Sequence, residues 1–199
     1  MIKKFFNSND GYTLVELLAV IIVLVVVGGI VISILVSSLR GSNRSTSVND
    51  IRQTGNSTMS QMAKMIAYSQ TFNGVGTGAK DSNGNLIFNT NCVSSPNPPT
   101  PTPTPTAYTY IKITSFDGGQ TIFSCSGNPL TISSGSASMI DTSAVSVTSC
   151  YFNCTQADLA SPPIIDIHFT LQKKSSGLFS ENNVSIPFET SVTPRNSGD

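Results

Sequence analysis

Residues 11–36 read "GYTLVELLAVIIVLVVVGGIVISILV". Between Tyr12 and Leu39 the only charged residue is Glu16. As a helix, residues 12–39 would reach about 42 Å at ~1.5 Å per residue. A bilayer core of ~30 Å needs only about 20 apolar residues, so the run is long enough to span. A carboxylate so close to its start needs a physical reason. Lys3 and Lys4 precede the run and Arg40 and Arg44 follow it, so the flanking charges nearly balance and do not orient the helix.

A secretory signal peptide cut after Ser38 and a plain single-pass anchor are the two ordinary readings. The first is opposed by an apolar region far longer than ~7–15 residues, by Glu16, and by the polar "NSNDG" between the lysines and the run. The second accounts for the length and leaves Glu16 unexplained.

Residues Lys3, Lys4, Gly11, Thr13, Leu14, Val15, Glu16 and Leu17 resemble the leader signal of type IV pilins and type II secretion pseudopilins. That pattern is a short basic leader ending in Gly, a hydrophobic residue, three more residues, Glu, and an apolar helix. The resemblance covers residues 1 to about 40. It implies cleavage between Gly11 and Tyr12 by a prepilin peptidase, N-methylation of Tyr12, and assembly through Glu16. After such a cut the amine of Tyr12 and the carboxylate of Glu16 stand one helical turn apart. A carboxylate there is also favoured by the helix dipole. Its cost in lipid, ~2.5–3.5 kcal/mol for a charge at mid-helix, is largely offset by pairing with an amine. The family implies that this pair forms between neighbouring subunits.

Two departures from the family pattern stand out. Tyr12 occupies a position often held by Phe, and no proline interrupts the helix before Pro96. Gly28 and Gly29 are the weak points of the run, suited to close helix packing.

Beyond the run, Val48, Ile51, Gly55, Met59, Met62 and Ile66 recur at helical spacing and predict an amphipathic continuation over 40–71. "GSNRSTS" (41–47) has poor helix propensity and predicts a kink or frayed turn. "FNGVGTG" (72–78) predicts the helix end. The remainder, 72–199, reads as a β-rich head. "YTYIKIT" (108–114) and "TIFSC" (121–125) flank the turn "FDGG", a hairpin signal. "AVSVTSCYF" (144–152) is a further strand. "IIDIHFTLQ" (164–172) places Ile165, Ile167, Phe169 and Leu171 on one face and Asp166, His168, Thr170 and Gln172 on the other. "NVSIPFETSV" (183–192) turns Val184, Ile186 and Phe188 inward. "SSPNPPTPTPTPT" (94–106) is a polyproline-II stretch that cannot join a sheet; a spacer, a proline-recognition ligand and a glycosylated loop are its readings. The fold class is therefore α+β: a long N-terminal helix, membrane-spanning in its first half, packed on an antiparallel sheet in the manner of type IV pilins. The domains are a leader (1–11), a membrane or filament-core helix (12–39), its amphipathic continuation (40–71) and the head (72–199).

Lys+Arg and Asp+Glu each number 11 and charged residues make up 11 % of the chain. Backbone binding of nucleic acid needs clustered Lys and Arg, and only Lys173–Lys174 are adjacent in the head, so no nucleic-acid partner is expected. Cys92, Cys125, Cys150 and Cys154 all lie beyond the apolar run, and four cysteines in an exported chain predict two disulfides. Pairing Cys92 with Cys125, across the base of the proline stretch, and Cys150 with Cys154 as a local loop is the favoured connectivity. A zinc site lacks a second close cysteine pair, and the single histidine, His168, falls on a strand's outer face. No Ser/His/Asp set or phosphate loop is present. The expectation is a chain without catalysis, metal or cofactor.

The closing "IPFETSVTPRN" (186–196) resembles the chain end of minor, PilW-like prepilin proteins. Together the resemblances imply a filament subunit, either a type IV pilus minor pilin or a secretion pseudopilin. It would sit in the bacterial cytoplasmic membrane before assembly and in a surface or periplasmic filament after. Its partners would be other pilin subunits, the prepilin peptidase and the membrane platform of the assembly machine. The other readings are a filament-tip adhesin and a secreted β-rich protein with an ordinary signal peptide.

Overall fold

A computed structural model describes residues 13–92, 107–158, 160–174 and 184–195. Contacts divide the chain into two units, Met1–Thr46 and Ser47–Asp199. The predicted cleavage position, Gly11 and Tyr12, and the proline stretch at 94–106 lie outside the described residues.

One helix, α1 (Leu14–Ala67), supplies all the described secondary structure of the first unit. Its large apolar side chains there keep between 43 % (Val36) and 83 % (Leu14) of their surface exposed. They point in every direction, so no stripe is reserved for a protein core. By length and composition α1 is able to cross a membrane, and its backbone hydrogen bonds close within the helix, as a spanning segment requires. The frayed turn that was one of the two expectations at 41–47 is absent, since those residues are helical within α1. Polar side chains there satisfy themselves on the helix, as Thr46 Oγ1 does by donating to the Ser42 carbonyl at 3.1 Å.

In the second unit α1 buries Ser47, Ile51, Gly55, Thr58, Met59, Met62 and Ile66, the predicted stripe widened by Ser47 and Thr58, with its first member Val48 only half-buried. The Thr58 hydroxyl donates to the Met139 carbonyl (3.3 Å). Ser47 Oγ receives Lys173 Nζ at 2.7 Å. The helix ends at Ala67, earlier than the expected boundary at 71. Ser69 closes the last turn, donating its hydroxyl to the Ile66 carbonyl at 2.8 Å.

Among the described residues eight strands follow. β1 (Thr71–Gly76), β2 (Tyr110–Thr114), β3 (Gln120–Ser126), β4 (Thr131–Ser134) and β5 (Ala137–Ser138) form one sheet in chain order. β6 (Val145–Thr155), β7 (Ile164–Lys173) and β8 (Ser185–Val192) form the other. Every pairing is antiparallel. The predicted β2–β3 hairpin is present, turning at Gly118 with φ 78°. β1 was expected to be only a helix terminator, because glycines at 74, 76 and 78 argue against a strand. Its irregularity at Phe72/Gly74 explains them. Gly74 has φ 114°, and a Cβ there would meet the Asn89 carbonyl oxygen at 2.6 Å, so glycine admits a close backbone crossing.

The core lies between α1 and the inner faces of the sheets, with Phe123, Phe152, Phe169 and Ile51 fully buried. β7 alternates as read, with Ile165, Ile167, Phe169 and Leu171 buried. β6 changes phase. Val145 and Val147 are buried, then Phe152 and Cys154. The register shift between Val147 and Ser149 leaves Thr148 unpaired and moves the inward face by one residue. Surface turns at Asp81, Asp141 and Asp158 are closed by their own carboxylates. The Asn85 N–H on Asp81, the Ser143 hydroxyl on Asp141 and Ser161 on Asp158 hold each below the ordinary carboxylate range.

Both disulfides form, with a pairing that corrects the expected one: Cys92–Cys154 and Cys125–Cys150. Cys150 and Cys154 share strand β6. Four residues of strand span about 13 Å, beyond the ~7 Å that a disulfide bridges between Cα atoms. In the observed pairs the Cα separations are 5.5 and 5.4 Å. Cys125–Cys150 ties β3 to β6, and a bridge between Tyr108 and Phe152 joins the same region through paired backbone bonds of 2.7 and 2.8 Å.

Non-reducing peptide mapping is expected to recover Cys92 linked to Cys154 and Cys125 linked to Cys150. Replacing Cys92 and Cys154 together by Ser should lower head stability by about 2–5 kcal/mol in denaturant unfolding. Gly55→Ala should also destabilise, by about 1–3 kcal/mol, since its Cβ would fall on the Phe188 ring. Gly41→Ala, which meets nothing within 4 Å, should instead stabilise the helix by up to ~1 kcal/mol; thermal melts of the two variants should move in opposite directions.

Candidate functional site

The first turn of α1 carries the one charge of the apolar run. Thr13 precedes the helix, and its hydroxyl and carbonyl both accept from the Glu16 N–H, at 3.3 and 3.1 Å. Thr13 is therefore the N-cap and Glu16 the third helical residue, the T-x-x-E arrangement of a capping box. The sequence reading used both residues as motif positions and missed the capping role of Thr13, although the spacing of Thr13 and Glu16 announces it. The cap fixes where the helix starts and so fixes which side Glu16 occupies.

C-terminal to Glu16, Ala19, Val20, Val23, Leu24 and Val27 continue the same side of the helix and line a shallow apolar strip with it. The small side chain of Ala19 makes the depression next to the carboxylate. Chemically this is a single acceptor at the edge of a lipid-compatible surface. It can receive a cation delivered along an apolar path, and it offers no nucleophile, acid–base pair or second ligand.

The other predicted site residues are placed as follows. Cys92, Cys125, Cys150 and Cys154 are consumed in the two disulfides, and they sit in the second unit. Gly28 and Gly29 have open space around them. Lys173 and Lys174 diverge despite their adjacency. Lys173 turns to Ser47 and lies 4.0 Å from Asp50, while Lys174 Nζ donates to the Thr142 carbonyl at 3.4 Å. His168 stands on the outer face of β7 as read. It is not isolated there: it stacks on Tyr151 and lies 3.7 Å from Glu189. Among the described residues no three His, Cys, Asp or Glu side chains gather as metal ligands. The closing tail also has a definite position. The Arg195 N–H donates to the Ala67 carbonyl at 3.1 Å, and its guanidinium lies 4.5 Å from the Tyr68 ring centroid. A cation is thereby held at the negative end of the helix dipole.

The chain matches no family model, no curated protein and no solved structure.

Removing the cap by Thr13→Ala should cost the first turn about 1 kcal/mol. The expected readout in a bicelle is faster hydrogen exchange at the Glu16 amide, with membrane partitioning unchanged.

Proposed function

We propose that this chain is a structural subunit of a bacterial pilus-like filament, of the type IV pilin or secretion-pseudopilin kind, held in the cytoplasmic membrane until it is assembled. One observation carries the reading: a single helix is apolar on all sides through its first half, with one carboxylate in its capped first turn, and is buried along one face in its second half. Such a helix needs an apolar environment for residues 14–39 that the head does not supply. Lipid supplies it before assembly and neighbouring copies of the same helix supply it after. The exchange between the two is nearly balanced, because acyl chains and apolar helices are similar solvents.

Glu16 gives that exchange a direction. A carboxylate facing lipid is unfavourable, and an amine brought by an incoming subunit relieves it, so the favourable end point is the filament. Cleavage between Gly11 and Tyr12 would create that amine. The head, closed by two disulfides, would form the outer surface of the filament in an oxidising compartment. The role requires no catalysis by the chain itself; processing falls to a prepilin peptidase and movement to an assembly platform.

Intact-mass analysis of the protein from its own host membranes should find a chain beginning at a methylated Tyr12. Glu16→Ala should leave membrane insertion unchanged and reduce incorporation into filaments at least roughly tenfold, a coupling of ~1.4 kcal/mol or more. A mature chain beginning near Leu39 would sink this reading in favour of an ordinary signal peptide.

A further inference from the structure

The two bridges of the head are nested in the sequence. Cys125–Cys150, with a separation of 25, lies inside Cys92–Cys154, with a separation of 62. Cys92 therefore bonds to the last cysteine of the chain and passes over the two between them. All four sulfurs are engaged in the folded head, so it keeps no thiol of its own with which to exchange bridges.

The order in which the cysteines would meet an oxidising compartment is different. The head follows α1 in the chain, so a head exported behind that helix delivers Cys92 and Cys125 first. Cys150 is 25 residues behind Cys125, on the order of one to five seconds of synthesis, and disulfides form over seconds and longer. Cys92 and Cys125 are also about half as far apart in sequence as Cys92 and Cys154, and halving a loop favours its closure roughly threefold. In the unfolded chain Cys150 and Cys154, with three residues between them, then close as a local loop. Each closure passes two electrons and two protons to a protein disulfide acting as oxidant. The product, Cys92–Cys125 with Cys150–Cys154, holds no thiol and cannot rearrange by itself. It cannot complete the fold either. β6 pairs with β7 from Val145 to Thr155, which extends Cys150 and Cys154 beyond the ~7 Å that a disulfide bridges between Cα atoms. While that local bridge is closed, the second sheet lacks its first strand.

We propose that maturation of this chain needs a thiol–disulfide isomerase as partner, a protein presenting a reactive thiolate, and that its substrate is the species bridged Cys92–Cys125 and Cys150–Cys154. The exchange balances without oxidant or reductant. The isomerase thiolate attacks Sγ of Cys125, forms a mixed disulfide there and releases the Cys92 thiolate. Cys92 attacks Sγ of Cys154, forming Cys92–Cys154 and releasing the Cys150 thiolate. Cys150 attacks Sγ of Cys125, forming Cys125–Cys150 and returning the isomerase thiolate. The fold sets the direction. The nested pair lets β6 extend, and Cys92, Cys125 and Cys154 are then buried, out of reach of a further thiol. Of the filament reading, this maturation step rests on one part, the export of the head to an oxidising compartment.

The full chain is expressed in two bacterial strains that differ only in the extracytoplasmic disulfide isomerase. It is pulse-labelled and chased, its thiols are trapped with iodoacetamide, and its bridges are mapped under non-reducing conditions. With the isomerase, Cys92–Cys125 is expected in the pulse and is replaced during the chase by Cys92–Cys154 and Cys125–Cys150. Without it, Cys92–Cys125 and Cys150–Cys154 persist, the nested pairs are lost, and free cysteine added to the medium restores them. Cys125→Ser combined with Cys150→Ser leaves Cys92 no partner but Cys154. That bridge should form to the same extent in both strains, whether or not the variant head folds. Nested pairs at equal levels in both strains, a pulse without Cys92–Cys125, or a need for the isomerase in the double variant would each overturn the proposal. Four free thiols in both strains would overturn the export of the head along with it, whereas nested pairs formed without the isomerase leave that export standing.

Discussion

The contact between Gly55 and Phe188 is the constraint on which the head depends. The ring occupies the space that any side chain at 55 would fill, so α1 and β8 approach more closely than two ordinary surfaces would. Phe188 in turn stacks on Phe169 of β7, 5.3 Å between centroids. The register of β7 against β8 follows from that seat, since a slip of one residue would turn Phe188 and Ile186 away from the helix and expose Pro187 and Glu189 to the core. The two sheets are then fastened to each other by Cys125–Cys150 and by the Tyr108–Phe152 bridge. The seat of the helix on β8 and the β7–β8 register thus meet at one glycine and one aromatic ring.

The parts of this architecture that repeat with a fixed period were readable in the sequence. The stripe from Ile51 to Ile66, the β2–β3 hairpin and the alternation of β7 each carry a pattern of 3.6 or 2 over several residues, and the apolar run was readable by its length. The parts that were not readable break a period or depend on distant residues. Thr148 shifts the phase of β6, so Val145 and Phe152 look as though they belong to opposite faces when both point inward. β1 is hidden by glycines that a crossing at Asn89 requires. The disulfide pairing depends on which strand holds each cysteine, and proximity in the chain misleads when Cys150 and Cys154 occupy a single extended strand. Residues 41–47 are helical despite their weak propensity because they lie inside a single long helix, where elongation is favourable once the helix is nucleated. Of the candidate sites, Glu16 was evident as the only charge in its setting. The burial of Asn153 was not, because an asparagine between Phe152 and Cys154 gives no sign of it.

The scarcity of charge takes on a different meaning once the residues are placed. Most surface turns in the head are closed by short polar side chains bonding to nearby backbone, as Asp81, Asp141 and Asp158 do. Such contacts are indifferent to salt in a way that exposed ion pairs are not. Several of the other charges have partners: Lys173 against Ser47 and Asp50, Arg195 at the helix end, and Asp166 with Ser191 on the outer sheet.

The attachment of Arg195 to the end of α1 has a mechanical consequence. Phe188 meets Gly55 and Arg195 meets Ala67, so β8 runs alongside the helix in the same direction. Tension drawn through α1 passes along the chain into β1 and, through the Gly55 and Ala67 contacts, also loads β8 along its length. Ladder bonds lie across the strand axis, so all eight register pairs between β7 and β8 are strained together, in shear. A zipper pulled from one end yields a tooth at a time; a joint loaded in shear yields only when its bonds give way as a group. The last strand thus anchors the helix as a lap joint, and Cys125–Cys150 and Cys92–Cys154 carry the pull onward to β3 and Cys92 through covalent bonds.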